Sequence, residues 1–184
     1  MDNFAVSLYA IAQKDRRVFE ALFRGSSRKL THYAKAILGQ HSQEAEDIVD
    51  QAFLKIWKYA ATFRGGNGEA FIRAIVRNAA FDHLRKHGKF HLEVDEATET
   101  QRIDDARVIT PEEYFEKNSR AFELKEAMVR LSVEHREAVW LCYFEEMPLK
   151  AISELLECPE NTVKTRLYHA RLKLKQFLME NVDV

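Results

Sequence analysis

Two cysteines, three prolines and six glycines are all that the 184 residues contain of the types that staple or punctuate a chain. Cys142 and Cys158 have no CxxC spacing, which excludes a zinc ribbon or a disulfide scaffold and leaves buried, reduced thiols as the expectation. Sparse glycine and proline argue against many short strands and for long helices. No segment approaches the roughly 18 uninterrupted apolar residues that span a bilayer. Met1 to Lys14 lacks the basic start and apolar core of a signal peptide. A cytoplasmic protein without membrane insertion is therefore expected. The chain is 46% hydrophobic and 31% charged, enough apolar material to build and cover a core, which excludes a disordered or fibrous protein. Its length suits one ordinary domain or two small ones.

A net charge of −1 conceals a sorting of charge along the chain. Residues 1–90 hold 15 basic against 9 acidic side chains, 91–116 hold 2 against 9, and 117–184 hold 11 of each. Within the last stretch, 159–177 is again basic, 5 against 1. Two basic segments thus flank an acidic joint, a pattern that permits a polyanionic partner.

Apolar periodicity predicts one or two helices over 15–38, depending on whether Gly25-Ser26-Ser27 interrupts them. A further helix is predicted over 42–61, with Ser42 as its cap and a core stripe through Ile48, Val49, Ala52, Phe53, Ile56 and Trp57. The only glycine cluster, Phe63 to Gly68, reads as a loop before a helix from about Glu69 to Lys86. His91 to Thr110 is acidic and aperiodic, a linker, after which Thr110-Pro111 reads as a capped helix start. Four short helices are predicted near 111–131, 134–145, 148–157 and 160–179. The last two, joined by Glu157 to Asn161, form a helix-turn-helix candidate.

In the last helix, Val163, Leu167, Ala170, Leu174 and Phe177 form one stripe. On the helical wheel Lys164, Tyr168, Arg171 and Lys175 lie to one side of it and Thr165 and His169 on the far side. Long cations reach phosphates and short polar groups reach base edges, so this pattern suits a recognition helix. A plain solvated basic face is the alternative. On the 42–61 helix, Leu54 sits among Asp47, Asp50, Gln51 and Lys58, about 20° from Asp47 and 40° from Asp50. An apolar residue amid acids is a candidate protein contact, although lone exposed leucines are common. His83 and His87 have the i, i+4 spacing of metal ligands but no third ligand, and are expected to be solvated or to face DNA. The glycine loop lacks the Gly-Lys-Ser/Thr ending of a nucleotide site, and no nucleophile with a base emerges. No catalytic residue, metal or cofactor is assigned.

Several segments together resemble one family. Ala45 to Trp57 (AEDIVDQAFLKIW) and Ala74 to Lys86 (AIVRNAAFDHLRK) are similar to region 2 of an extracytoplasmic-function (ECF) sigma factor of bacterial RNA polymerase. Leu131 to Phe144, Ile152 to Leu156 and Pro159 to Leu167 are similar to region 4. The resemblance covers about 15–88 and 115–179. It implies an all-α protein of two small helical domains, 1–90 and 115–184, joined by an acidic linker over 91–114. It implies that Asp47, Asp50, Gln51, Leu54 and Trp57 dock on the β′ clamp helices of core RNA polymerase, with the β subunit a further contact. Trp57 also lies on the core stripe, so packing competes with contact there. Phe63, Arg64 and Asn67 with Arg73, Arg77, Asn78, Arg85 and Lys86 would capture and melt the −10 element of promoter DNA. Extruding a base costs a few kcal/mol, which an aromatic or polar pocket and nearby cations offset. Lys164, Thr165, Tyr168 and His169 would read the −35 element in the major groove, with Arg166 and Arg171 on phosphates. The sequence departs from the family pattern at Asp50-Gln51, commonly Gln-Glu, and at Phe71, commonly Trp.

The resemblance further implies restraint by an anti-sigma factor, and the free protein is expected to be monomeric. The acidic linker is also expected to shield basic faces. The overall expectation is a transcription initiation factor with no enzymatic activity of its own. The rivals are a helix-turn-helix regulator working without polymerase and a metal-dependent nuclease built on Glu46, Asp47 and Asp50.

Overall fold

The computed structural model describes residues 3–87 and 118–180; among them every regular element is helical. The chain divides into two units, Met1–Phe90 and His91–Val184. The linker expected over 91–114 and the Thr110-Pro111 cap lie outside the described residues.

In the first unit, α1 (Asn3–Ala12) is followed by α2 (Arg16–Leu38), α3 (Ala45–Tyr59) and α4 (Gly68–Lys86). Asp15 starts α2, its Oδ1 accepting from the N–H groups of Arg17 at 3.0 Å and Val18 at 3.2 Å; such a cap satisfies donors that the first turn leaves orphaned. Gly25-Ser26-Ser27 does not interrupt it. α2 is one helix, and the buried Ser26 hydroxyl donates to the Leu22 carbonyl at 2.6 Å. The expected Ser42 cap is also overturned. A 3₁₀ turn, Gly39–Glu44, runs straight into α3, where Ser42 offers its backbone carbonyl to the Ala45 N–H and its side chain caps nothing. The core lies where α2, α3 and α4 meet, around Tyr33, Ile37, Phe53, Ile56, Ile72 and Leu84. Phe53 receives the edges of Phe19 and Phe23. Each fully buried side chain of this size contributes about 1.5–3 kcal/mol. α1, which the apolar periodicity of the sequence had not marked as a helix, closes this core with Leu8 and Ile11.

In the second unit, α5 (Asn118–Arg130), α6 (Val133–Val139), α7 (Leu149–Leu156) and α8 (Glu160–Glu180) follow in order. Ser132 caps α6 through the His135 N–H. α6 opens into a π turn, Trp140–Phe144, closed by the Glu145 N–H donating to the Trp140 carbonyl at 3.1 Å. The buried Arg136 guanidinium donates to the carbonyls of Val129 at 3.2 Å and Leu131 at 2.9 Å, tying off the end of α5. Burial pushes its pKa down to about 10, against the pull of Glu134, so it stays charged at neutral pH.

Glu157, in the left-handed region at φ 53°, ends α7, and Pro159 opens the turn into α8. Ile152, Leu155 and Leu156 face Val163, Leu167 and Ala170 across this helix-turn-helix, all buried. Leu174 and Phe177, expected on the same stripe, are half-buried. Cys142 and Cys158 are free thiols, half-buried rather than sealed. Burial pushes the Cys142 thiol up, with the Arg171 charge acting the other way. Among the described residues no helix is long and apolar enough to cross a membrane.

Candidate polymerase and promoter interfaces

Helix α3 buries Ile48, Val49, Ala52, Phe53 and Ile56, and the opposite face carries Asp47, Asp50, Gln51, Leu54 and Lys58, all exposed. Leu54 is 68% exposed, the highest value among the large apolar side chains described. Trp57 sits between core and surface. Its ring meets the Phe19 edge at 5.1 Å, Lys14 Nζ lies 5.1 Å over it, and the same ammonium donates to the Trp57 carbonyl at 3.2 Å. Packing thus takes much of the Trp57 side chain.

The loop Phe63–Asn67 reverses the chain between α3 and α4. Gly65 at φ 104° and Gly66 at φ 94° hold conformations that residues with a Cβ rarely adopt. Asn67 caps α4, its Oδ1 accepting from the Ala70 N–H at 3.0 Å. Gly68 fits because it has no Cβ, which would otherwise fall inside the backbone of Phe4 and Ala5. α1 therefore lies directly on the first residue of α4.

Two residues expected to touch DNA face inward instead. Phe63 is 7% exposed, with its ring between Tyr9 at 5.5 Å and Phe71 at 5.3 Å. Arg73 is 2% exposed; its Nη2 and Nε hold Glu69 Oε1 at 2.9 and 3.2 Å, and its guanidinium lies 5.4 Å from the Tyr33 ring centre. Both are corrections of one kind: Tyr9 of α1 covers the loop at Phe63 and Tyr33 of α2 lies against Arg73, neighbours that a view of the loop and α4 alone cannot include. Glu69 completes the brace by accepting from Lys29 at 3.3 Å. Burial alone would push the Glu69 carboxyl up, but the hydrogen bond and charge of Arg73, then those of Lys29, outweigh it and hold the pKa below its ordinary value.

The other loop and α4 candidates reach the surface. Arg64 and Asn67 are exposed, as are Asn78, Arg85 and Lys86. Arg77 is half-buried with its guanidinium 4.4 Å from the Phe81 ring centre, and Arg85 reaches Asp82 at 3.4 Å. His83, expected with His87 to be solvated or to face DNA, is half-buried against the Glu44 carboxylate, 4.4 Å ring to ring from His87. Tyr9, not identified from the sequence, flanks this loop and is 44% exposed. Its only sequence signal is α1 itself, whose apolar pattern is short.

In the second unit, Lys164, Thr165 and His169 are exposed on α8, while Arg166, Tyr168 and Arg171 are half-exposed. The Thr165 hydroxyl donates to the Asn161 carbonyl at 2.9 Å, so what it offers outward is an acceptor. The His169 ring lies 5.4 Å from Tyr168 and 6.3 Å from the buried His135. Arg171 reaches inward to Tyr143, whose phenol burial pushes up and Arg171 pulls back. Among the described residues no three His, Cys, Asp or Glu side chains converge as metal ligands.

Comparison with known proteins agrees with these two units. Residues 22–90 match the family Sigma-70 region 2, and residues 121–174 match Sigma-70, region 4. The ECF RNA polymerase sigma factor SigE of Mycolicibacterium smegmatis is 24% identical over 145 residues, 78% of this chain; the match spans 55% of that relative's length. RNA polymerase sigma factor YlaC of Bacillus subtilis is 24% identical, covering 89% of this chain and 93% of its own. The sigma factor RpoE of Bartonella quintana, solved in complex with the anti-sigma factor NepR, aligns with a TM-score of 0.64 at 25% identity, over 90% of this chain and 98% of that one. Two sigma regions in family order, on a helical fold shared with such a factor, place this chain among the ECF sigma factors of bacterial RNA polymerase.

Proposed function

We propose that the chain binds core RNA polymerase through the exposed face of α3, with Leu54 as apolar anchor and Asp47, Asp50 and Gln51 around it, and directs initiation at promoters of matching sequence. Interfaces concentrate their energy in a few desolvated anchors, aliphatic ones included where a pocket receives them, and Leu54, 68% exposed on a helix whose other face is core, is the observation that carries this reading. The −10 element meets Arg64, the Asn67 amide and the outer side of α4 at Asn78, Arg85 and Lys86. The tilted contact of the buried Phe63 ring with Tyr9 and the Arg73–Glu69 pair hold that surface in shape. The −35 element lies along α8. There the Thr165 oxygen, already donating within the helix, accepts from an exocyclic amino group of adenine or cytosine. No bond is made or broken by this chain: it binds and deforms DNA, and works in the cytoplasm as a monomer before polymerase captures it. Because RpoE was solved with an anti-sigma factor, a protein inhibitor is the proposed restraint.

The test loads purified core polymerase with the chain and maps transcript starts on a promoter library. Co-migration with core and aligned upstream elements are expected. Sequence-specific DNA binding without co-migration would favour a regulator independent of polymerase. Leu54→Asp should weaken core binding thirty-fold or more, about 2 kcal/mol, while the midpoint of urea unfolding stays unchanged.

A further inference from the structure

We propose that the outer face of α2 is a second, sequence-independent phosphate-binding surface, and that it holds duplex promoter DNA outside the −10 and −35 elements. This rests on the reading that the chain works on promoter DNA. Helix α2 carries six basic residues against one acidic, Glu20, the most one-sided charge of any helix in the unit. On a wheel of 3.6 residues per turn, Arg17, Arg24, Arg28 and Lys35 fall in one narrow stripe, and all four are exposed. The stripe lies opposite the buried side at Leu30, Tyr33 and Ile37.

Three of the six cations are engaged: Arg16 with Glu20 at 3.8 Å, Lys29 with Glu69 at 3.3 Å, and Lys35 with Glu46 at 3.9 Å. Among the described residues Arg17, Arg24 and Arg28 meet no carboxylate; the Arg24 Nε reaches only the Glu20 carbonyl, at 3.4 Å. With Arg73 buried in its pair, these three account for much of the positive excess of residues 1–90.

Two features select nucleic acid over protein as the occupant. Unlike α3, α2 exposes no large apolar side chain, so the stripe offers a row of cations without the apolar centre that a protein interface desolvates. Gly25 is exposed beside the stripe, and a Cβ there would meet nothing within 4 Å. Glycine inside a helix is unfavourable relative to alanine, and no contact within the unit requires it. On the same wheel Gly25 lies about 80° to the side of the stripe, so the bare backbone leaves room along the flank of the arginines. From Arg17 to Lys35 the stripe runs about 27 Å at 1.5 Å per residue, long enough to follow several phosphates.

The test uses the complete chain on a labelled 30-base-pair duplex of arbitrary sequence, between 50 and 200 mM salt, and then the core-loaded chain on a mapped promoter. Replacing all three arginines (Arg17→Gln, Arg24→Gln, Arg28→Gln) should lower the slope of log affinity against log salt by about 2–3, near 0.9 per phosphate released. It should cost ten-fold or more at 100 mM, with core binding and promoter preference unchanged. Gly25→Leu, which keeps every charge, should weaken duplex binding at least three-fold without lowering the thermal midpoint. An unchanged salt slope overturns the proposal. So does a triple variant that loses core polymerase and keeps DNA, since that would make the stripe a protein face. The arbitrary duplex needs no polymerase. If the wild type failed to join core while the slope difference persisted, the sigma reading would fall and the stripe would stand.

Discussion

The two units put functional groups at the surface by different means. In the second unit, one helix does both jobs. α8 buries Val163, Leu167 and Ala170 and turns Lys164, Thr165 and His169 outward, so a substitution on the wet side leaves the packing alone. In the first unit, the proposed DNA surface is a loop and a helix flank held from behind by residues of α1 and α2. Polar and aromatic residues there divide into contacts and braces, and residue type does not say which is which. Arg73 and Arg85 are both arginines of α4, yet one is 2% exposed and the other is at the surface.

The widest separation between brace and contact is expected at Arg73. Arg73→Ala removes one of the two cationic partners of Glu69 and the cation beside Tyr33. Losing one member of a buried pair costs about 3–5 kcal/mol; the Glu69 side chain keeps 36% exposure and can draw on water, so about 2–3 kcal/mol is expected in urea unfolding. Asn78→Ala, on the same helix but exposed, should stay within about 0.5 kcal/mol and impair promoter melting instead. Equal destabilisation by the two would erase the distinction.

Gly68→Ala comes next. The added methyl has to push α1 off the start of α4, an overpacking penalty of about 1–3 kcal/mol, and the loop from Arg64 to Asn67 moves with it. Loss of stability together with loss of −10 preference is expected, with −35 recognition intact. Thr165→Ala in the other unit is the mirror case. Stability should hold, while binding to the mapped −35 element falls by about 1 kcal/mol and binding to unrelated duplexes does not change. A uniform loss would make the contact one to phosphate.

The same difference explains what the sequence made legible. The wheel of α8 and that of α3 each need only their own helix, so Lys164, Thr165, His169 and Leu54 could be placed outside from spacing alone. Phe63 and Arg73 could not, because the groups that cover them, Tyr9 and Tyr33, are tens of residues away and belong to helices whose packing no local pattern encodes. α1 went unmarked for a related reason: ten residues with buried positions only at Ala5, Leu8 and Ile11 give a weak periodic signal. Ser42 has the chemistry of a cap, but the chain enters α3 from a 3₁₀ turn that already supplies backbone acceptors. The acidic joint was the plainest compositional feature, and it lies outside the described residues.

The smallest effect is a shift with pH, and it tests the brace without deleting it. Arg73 and Lys29 hold the Glu69 carboxyl below its ordinary value despite partial burial. A carboxyl whose folded pKa is depressed adds stability that is present above its unfolded value, about 4.3, and is lost as pH falls through the lower folded value. Unfolding midpoints of the first unit should therefore hold from neutral pH to about pH 5 and decline below it. In Glu69→Gln, which cannot titrate, that part of the decline should be missing, with a lower plateau at neutral pH because the ion pairs to Arg73 and Lys29 are gone. An acid limb of the same steepness in both proteins would mean that Glu69 is solvated well enough for its two cations not to matter, and Arg73 would then be held by the Tyr33 ring and its own burial rather than by the carboxylate.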